Sequence, residues 1–345
     1  MIERLADKEP PRVRLANTPT RGHWLRYGEK LGTKIWIKRD DHTGSELMGN
    51  KVRKLEYLMA EALQLQATHV ITCGGEQSNH ARATALAATQ LGLKTVLILR
   101  TENPEQPPAP TGNILLDRLC GAEIRWISRP AWKDRTRLLA EEAERVRAAG
   151  GRPYVIPEGG SNALGSWGYL RAMSELVEDL AGIAAPDNPV TIVYACGSGG
   201  TGAGLVLGWK LLGLQALGIR VAGVNVCDDK PYFIDVIGKI CGDFEERWQL
   251  DARVTPQDID IVDGHVGLGY AKSRPEELAT IRDVCHSDGV VLDPVYTGKA
   301  FHGLVTELRA DPKRFGSTVA FIHTGGMFGL FCRSTDSAET IAQVL

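Results

Sequence analysis

The sequence predicts an α/β protein whose sheets are mostly parallel and buried, arranged in about two domains. Short apolar runs bounded by Gly or Asp recur along the chain and alternate with amphipathic stretches of helical length, which is the pattern of βαβ units. One run, Val190–Cys196, is almost entirely apolar, as expected of a central parallel strand. The 345 residues correspond to about two domains of roughly 150 residues each.

The predicted strands are short apolar runs. They are His69–Cys73, Thr95–Leu99, Val190–Cys196, Val221–Val226, Val290–Asp293 and Thr318–His323. Asn50 suits the N-cap of an amphipathic helix, and an alanine-rich helix is predicted from Asn79 to Leu91 with Gly92 as its C-terminal glycine. The proline-rich segment Glu102–Gly112 is predicted to be an irregular loop. Pattern alone divides the chain into βαβ regions at about 50–160 and 190–330.

The composition excludes several classes of partner. The chain has 40 Lys and Arg against 42 Asp and Glu, a formal net charge of -2, so we expect no nucleic-acid partner. No stretch approaches the ~18 apolar residues of a membrane span, and the first residues lack the apolar core of a signal peptide. The seven cysteines are scattered without C-x-x-C spacing, which predicts neither a disulfide framework nor a metal site. A reducing cytoplasm is the expected location.

The first chemical signal is a glycine-rich loop directly after the strand that ends at Cys196. Its residues are Gly197, Ser198, Gly199, Gly200, Thr201 and Gly202. Glycines allow the backbone to approach an anion closely, and the N–H groups at a helix start can donate to phosphate. The loop also satisfies the G-x-G-x-x-G pattern, with Asp228 placed for a ribose contact, so a nicotinamide-dependent oxidoreductase is an alternative.

Two further segments point to anions. Cys73–His80 follows a predicted strand and offers backbone N–H groups and polar side chains to a carboxylate, although an ordinary helix cap explains this turn equally well. Lys51, Arg53 and Lys54 lie within four residues at a helix start, where the macrodipole disfavours positive charge. An anionic ligand would explain why three cations are clustered at this helix start. Lys51 is also a Schiff-base candidate, because burial beside other cations would free its amine.

Six segments occur in order and together resemble the pyridoxal-phosphate family that contains D-cysteine desulfhydrase and 1-aminocyclopropane-1-carboxylate (ACC) deaminase. They are GNKVRKLEY (49–57), GGEQSNHAR (74–82), PEGGSNALG (157–165), CGSGGTGAGL (196–205), LDPVYTGKA (292–300) and IHTGG (322–326). The resemblance spans about residues 45–330. It implies the fold type II architecture of tryptophan synthase β-like enzymes, with pyridoxal phosphate between two open parallel-sheet domains. It also implies a large domain of residues 1–47 and 166–345, a small inserted domain of residues 48–165, and a homodimer.

The resemblance assigns roles to individual residues. Lys51 would hold the cofactor covalently with Asn50 beside it, while Lys54 and the loop from Gly197 to Gly202 would bind its phosphate. Asn79 would contact the pyridoxal ring oxygen, and Ser78 would hold the substrate carboxylate. The remaining substrate contacts implied by the resemblance are His80, Gly160 and Tyr296. Lys51, Tyr296 and Ser78 would be catalytic, with Tyr296 as a second acid or base near the reacting carbon.

Two positions favour the D-cysteine desulfhydrase branch. Deaminases of the family have Glu and Leu where this chain has Thr297 and Thr324, and hydroxyls near the pyridine nitrogen suit β-elimination of a good leaving group. The expected reaction is the α,β-elimination of D-cysteine to pyruvate, ammonia and hydrogen sulfide. Glu76, Glu158 and the pair Met327-Phe328 depart from the family pattern. ACC deamination, elimination from serine, β-chloroalanine or cysteate of either hand, and an inert anion-binding protein therefore stay open as alternatives.

Overall fold

The computed structural model describes Leu5 and residues 7–332, and these form an α/β protein with two separate sheets. The strands are β1 (Gly22–Leu25), β2 (Lys34–Lys38), β3 (His69–Gly75), β4 (Lys94–Thr101), β5 (Glu123–Ser128), β6 (Pro153–Val155), β7 (Val190–Cys196), β8 (Ile219–Asn225), β9 (Asp260–Val262) and β10 (Thr318–Ile322). The α-helices are α1 (Asn50–Gln64), α2 (Asn79–Gln90), α3 (Gly112–Leu119), α4 (Arg135–Ala148), α5 (Ala163–Asp179), α6 (Gly200–Leu211), α7 (Lys230–Trp248), α8 (Pro275–Asp288) and α9 (Thr297–Ala310).

The larger sheet has six strands in the order β1-β2-β10-β7-β8-β9, and the smaller has four in the order β5-β4-β3-β6. Every strand pair is parallel except β1 with β2. The strands of the smaller sheet all lie between residues 69 and 155, whereas the larger sheet takes strands from before and after that segment. Parallel sheets bury both faces, and every residue of β7 is buried accordingly.

Most predicted elements are confirmed. Five of the six predicted strands are present with bounds within two residues, and β7 has the predicted bounds. The alanine-rich helix ends at Gln90, one residue before the predicted end, and Gly92 follows it with φ of +74°. The proline-rich loop is irregular up to Gly112, where α3 begins. Along the part of the chain that the structure describes, none of the helices combines the length and apolar character needed to cross a bilayer.

The predicted strand Val290–Asp293 is wrong. Val290 and Leu292 are buried under the larger sheet, but the segment pairs with no strand. Side chains satisfy its backbone polar groups instead: His323 Nε2 lies 2.9 Å from the Val291 carbonyl, and the Asp293 N–H donates to Thr297 Oγ1 at 2.8 Å. An apolar run of this length indicates that a segment is buried. This segment is buried without pairing in a sheet.

Close helix packing brings the start of α1 against α5 and α6. A Cβ on Gly168 of α5 would lie 2.6 Å from the Arg53 carbonyl of α1. A Cβ on Gly204 of α6 would lie 2.4 Å from the Ser166 carbonyl of α5. Glycine at both positions therefore allows the three helices to approach more closely than any other residue would. This packing fixes the first turn of α1 beside the loop that opens α6.

Candidate active site

A cavity of about 910 Å³ lies where the carboxyl ends of strands from both sheets converge. Parallel α/β sheets bind ligands at this end, because the loops that follow the strands meet there. The lining residues that follow strands include Gly74, Gly75 and Ser78 after β3, Pro157 and Glu158 after β6, Gly197 to Gly199 after β7, Cys227 and Asp228 after β8, and Thr324 and Gly325 after β10. The two sheets thus share one site.

The first turn of α1 begins the site. Gly49 is its N-cap with φ of +100°, and a Cβ there would lie 2.6 Å from the Thr324 carbonyl, so glycine is required. The predicted N-cap role of Asn50 is wrong. Asn50 is the first helical residue, and its side-chain amide donates instead to Thr201 Oγ1 at 3.0 Å. That bond joins the start of α1 to the start of α6.

The three cations of this turn have different surroundings. Arg53 is satisfied within the protein, because its guanidinium pairs with Asp40 and Glu175 at 2.8 Å each. Lys54 is buried and Lys51 is partly buried, and neither has a carboxylate in ion-pair distance among the described residues. The carbonyl of Gly159 lies 3.4 Å from Lys51 Nζ and accepts a hydrogen bond from Lys54 Nζ at 3.2 Å. Two of the three cations therefore lack a counter-charge from the chain itself.

Burial governs the protonation of both lysines. It lowers the pKa of Lys51 to about 8, against which the charge of Glu158 raises it slightly. Burial and the neighbouring Lys51 lower the pKa of Lys54 well below its ordinary value. A lowered pKa makes the unprotonated amine of Lys51 accessible near neutral pH, which is the form that attacks a carbonyl carbon.

The glycine-rich loop joins β7 to α6 and has the form of an anion cradle. Gly199 has φ of +79° and caps α6, so the first N–H groups of the helix point out of its N-terminus. A Cβ on Gly200 would lie 2.7 Å from Ser161 and 2.9 Å from Lys54 Nζ, so only glycine leaves room. Ser161 Oγ donates to Ser198 Oγ at 2.9 Å and accepts from the Gly200 N–H at 3.3 Å.

These features fit the phosphate and the aldehyde of pyridoxal phosphate. A helix N-terminus and the uncompensated Lys54 suit a phosphate dianion, and the loop provides hydroxyl donors beside them. Lys51, one helical turn away, provides an amine of lowered pKa for the aldehyde. The residues that would hold the cofactor are therefore Lys51, Lys54, Asn50 and the loop from Gly197 to Gly202.

The predicted carboxylate turn lies at the end of β3. Ser78 is the N-cap of α2 and accepts from the Ala81 N–H at 3.1 Å, while Asn79 accepts from Asn113 at 3.0 Å. His80 Nε2 lies 2.9 Å from Thr72 Oγ1. Burial and the nearby lysines lower the pKa of His80 well below its ordinary value, so its imidazole is neutral. All three predicted residues of this turn, Ser78, Asn79 and His80, line the cavity.

Tyr296 lines the cavity and shares a hydrogen bond with Tyr270, their hydroxyl oxygens lying 2.8 Å apart. The ring of Tyr296 also flanks the phosphate loop, 3.0 Å from where a Cβ on Gly197 would lie. Burial raises the pKa of Tyr270 to about 12 and that of Tyr296 well above its ordinary value. Both phenols therefore keep their protons throughout the neutral range.

Not every predicted residue faces the cavity. Lys54, Gly160, Gly200 and Thr297 are not among its lining residues, although Gly200 belongs to the glycine-rich loop and Lys54 Nζ lies beside it. Thr297 is fully buried and donates its hydroxyl proton to Asp293 at 2.6 Å. Thr324 does line the cavity. Cys196 lines it too, and burial raises the pKa of its thiol to about 12, so it stays protonated.

Several lining residues were not predicted as site residues, among them Arg100, Trp132, Ser161 and Tyr270. Ser161 lies inside a segment that carries the family resemblance, so closer attention to that segment would have found it. Arg100 is the penultimate residue of β4, and the rule that ligands bind at strand carboxyl ends points to it. Tyr270 and Trp132 lie in segments without periodicity, and only the folded chain brings them to the cavity.

We expect Lys54→Met to stabilise the ligand-free protein while weakening cofactor binding. Because the folded-state pKa of Lys54 is below its unfolded value, protonation favours the unfolded state at neutral pH, and Met removes this cost of about 1–3 kcal/mol. The gain should shrink above pH 10, where the unfolded lysine also loses its proton. Thermal unfolding of the ligand-free protein at pH 7 and pH 10.5, with cofactor titration, measures both effects.

Lys299 provides the matched control for this prediction. It is equally buried, but its ammonium donates to the carbonyls of Val266 and Gly269 at 2.7 Å each. Lys299→Met should therefore destabilise the protein by about 1–3 kcal/mol, since two carbonyls lose their donor. If both substitutions lower the unfolding temperature alike, Lys54 is a structural lysine and not an anion ligand.

Comparison with known proteins identifies the family. The sequence model of the pyridoxal-phosphate dependent enzymes matches residues 13–325. The mitochondrial bifunctional D-cysteine desulfhydrase/1-aminocyclopropane-1-carboxylate deaminase of Arabidopsis thaliana is 47% identical over 344 residues, covering 96% of this chain and 81% of that protein. The crystal structure of an ACC deaminase homologue has a TM-score of 0.84 at 36% identity, covering 98% of this chain and 97% of that one.

A more distant structure shares the fold alone. The processed form of threonine deaminase isoform 2 from Solanum lycopersicum has a TM-score of 0.63 at 17% identity, covering 94% of this chain and 82% of that chain. The predicted architecture of two parallel-sheet domains is thereby confirmed, and so is pyridoxal phosphate as the cofactor. The nicotinamide alternative for the glycine-rich loop and Asp228 is wrong. The chain belongs to the pyridoxal-phosphate dependent enzymes, in the family of ACC deaminase and D-cysteine desulfhydrase.

Proposed function

We propose that this enzyme is a lyase that removes the β-substituent of a small amino acid, and that its main substrate is D-cysteine. The products would be pyruvate, ammonia and hydrogen sulfide. The observation that carries the proposal is a complementary pair of groups in one cavity. Lys51 and Tyr296 both line this cavity; burial lowers the pKa of the Lys51 amine to about 8 and raises that of the Tyr296 phenol well above its ordinary value. Elimination needs one group of each kind.

The residues divide the chemistry between them. When bound, pyridoxal phosphate delocalises the negative charge that develops at the α-carbon of the substrate. Ser78 and the N–H groups at the start of α2 hold the α-carboxylate, which orients the α-carbon. Lys51 Nζ accepts the proton of the α-carbon. Tyr296 Oη donates a proton to the sulfur as the Cβ–S bond breaks, and Tyr270 fixes the direction of that phenol through their 2.8 Å hydrogen bond.

ACC deamination is the second candidate, because both similar proteins described above carry that activity or family name. Thr324, which lines the cavity, stands where deaminases have Leu. Thr297, which stands where they have Glu, donates its hydroxyl proton to Asp293. Neither residue offers a carboxylate to the cofactor ring. A protonated ring is the stronger electron sink that ring opening of ACC needs, so these residues favour elimination of a thiol over opening of a cyclopropane.

The test compares substrates on one enzyme preparation. We expect pyruvate and hydrogen sulfide in equal amounts from D-cysteine, with kcat/KM at least about tenfold above that for ACC, L-cysteine or D-serine. β-Chloro-D-alanine should also release pyruvate, since chloride leaves without a proton. A higher kcat/KM for ACC, with 2-oxobutyrate as product, would assign the deaminase instead. Release of neither ketoacid from any of these amino acids would refute the lyase proposal.

We also propose that the enzyme is a cytoplasmic homodimer. All seven cysteines are free thiols, as expected in a reducing compartment, and the family resemblance implies two copies. Light scattering on the purified holoenzyme should give twice the mass of one chain at micromolar concentration. A monomer mass would overturn the assembly, and loss of activity without reductant would support the compartment.

A further inference from the structure

Arg100 lines the cavity beside the turn that leads to Ser78. It lies at the carboxyl end of β4, and its register partner on β3 is Gly75, in the turn that leads to Ser78. A Cβ on Gly75 would lie 3.3 Å from the Tyr270 ring and 3.9 Å from Arg100 Nε. Glycine at position 75 therefore leaves the guanidinium and this ring beside the carboxylate turn. Arg100 is separated from Tyr296 by one residue, Tyr270.

Two aromatic faces hold the Arg100 guanidinium. Its centre lies 4.6 Å from the Trp132 ring and 5.0 Å from the Tyr270 ring. Such stacking fixes the plane of a guanidinium and leaves its N–H edges available to a ligand. The backbone of Arg100 is paired within the sheet, but its guanidinium has no carboxylate within 4.0 Å and no hydrogen-bond acceptor among the residues that the structure describes.

The two guanidinium groups on this side of the cavity differ in their ion-pair partners. Arg135 stacks on the same Trp132 at 5.2 Å, but it is paired with Glu158 at 3.1 Å. Glu158 is thus one carboxylate for two guanidinium groups, and burial raises its pKa, which weakens its negative charge further. Glu76, on the same turn, is held by Thr101 at 2.8 Å. Among the described residues, Arg135 thus has a carboxylate in ion-pair distance and Arg100 has none.

We propose that Arg100 binds a second acidic group, a carboxylate or a sulfonate, on the side chain of an amino-acid ligand. This inference rests on the proposed function, because the turn at Ser78 is taken to hold the α-carboxylate. The α-carboxylate would lie at Ser78, and Arg100 is the register partner of Gly75, in the turn that leads to Ser78. The site therefore offers two anion positions side by side. Besides D-cysteine, it accepts an α-amino acid with one additional negative charge, and Arg100 is the residue that determines the affinity for that charge.

The experiment measures ligand binding to the holoenzyme by isothermal titration calorimetry. The probes are both enantiomers of aspartate and of cysteate, with D- and L-alanine as uncharged references. We expect the wild type to bind one acidic probe at least about tenfold more tightly than alanine of the same hand. Arg100→Gln should remove that advantage, and Arg100→Lys should retain part of it. Binding of aspartate alone assigns a carboxylate, and binding of cysteate alone assigns a sulfonate.

A control separates this inference from the proposed function. Arg125 lies on β5 of the same sheet, pairs with Glu142 at 3.3 Å, and does not line the cavity, so Arg125→Gln should bind all probes like the wild type. Equal affinity of the wild type for acidic and uncharged probes, or an equal loss for both kinds in Arg100→Gln, would overturn the role of Arg100. Pyruvate release from β-chloroalanine tests the lyase activity separately, since that substrate carries no second acid.

Discussion

Lys51→Ala should lower kcat by about 10³-fold or more, because it removes both the amine that holds the cofactor and the base that takes the α-proton. The fold should survive. Lys51 lines a cavity, and its ammonium has no carboxylate in ion-pair distance among the described residues, so alanine leaves no buried charge without its partner. Steady-state kinetics and circular dichroism measure the two effects. Borohydride reduction, followed by peptide mapping, should label Lys51 in the wild type and nothing in the variant.

Two controls define the cause of this loss. Lys239→Ala removes an exposed lysine paired with Asp235, and it should leave kcat unchanged. Added ethylamine should restore part of the activity of Lys51→Ala, since it supplies a free amine in the vacated space. In the ligand-free wild type, the rate of pyridoxal phosphate uptake should rise with pH with a midpoint at about pH 8, because only the unprotonated amine reacts. Wild-type turnover by Lys51→Ala would refute the assignment.

Tyr296→Phe should lower kcat for D-cysteine by about 10²-fold, since it removes the phenol proton that the departing sulfur accepts. KM should change little, because the ring and its packing against the phosphate loop remain. With β-chloroalanine, whose chloride leaves without a proton, the loss should be less than about threefold. This difference between leaving groups is the signature of a general acid, and steady-state kinetics on both substrates measures it.

Tyr270→Phe is the matched variant for this prediction. It breaks the 2.8 Å hydrogen bond but leaves the Tyr296 phenol in place, so we expect a loss of kcat of only about tenfold. Since the pKa of both phenols is raised, neither variant should alter the pH profile below about pH 9. An equal loss for D-cysteine and β-chloroalanine in Tyr296→Phe would contradict the role of a proton donor.

The sequence predicts the parts of this molecule that depend on local pattern. The strand Val190–Cys196 and the glycine-rich loop after it are confirmed, because an apolar run followed by Gly in a βα turn is a local signal. Val290–Asp293 shows the limit of the same reasoning, since side chains of His323 and Thr297 replaced the expected neighbouring strand. The N-cap prediction at Asn50 failed for a similar reason: Thr201, distant in sequence, competes for its side chain.

The candidate site also contains residues that the sequence predicts and residues that it does not. Lys51, Ser78 and Tyr296 lie in recognisable segments, and the structure brings all three to one cavity. Their catalytic roles stay predictions. Tyr270 and Arg100 are placed by contacts between distant parts of the chain. Tyr270 contacts the phenol of Tyr296, and Arg100 lies between two aromatic rings. Neither environment can be predicted from residues nearby in the sequence. The domain boundaries after residues 47 and 165 also stay predictions.

The strand order of the larger sheet bears on how the protein is made. β10, which begins at Thr318 and is the last strand of the described residues, lies between β2 and β7 and so joins the two halves of this sheet. During synthesis, the smaller sheet is complete in sequence by residue 155, whereas β2 can pair with β10 only after residue 322 has been made. Pairings over such long sequence separations form slowly. The cavity residues that follow β10, Thr324 and Gly325, therefore join the site after the loop that follows β7.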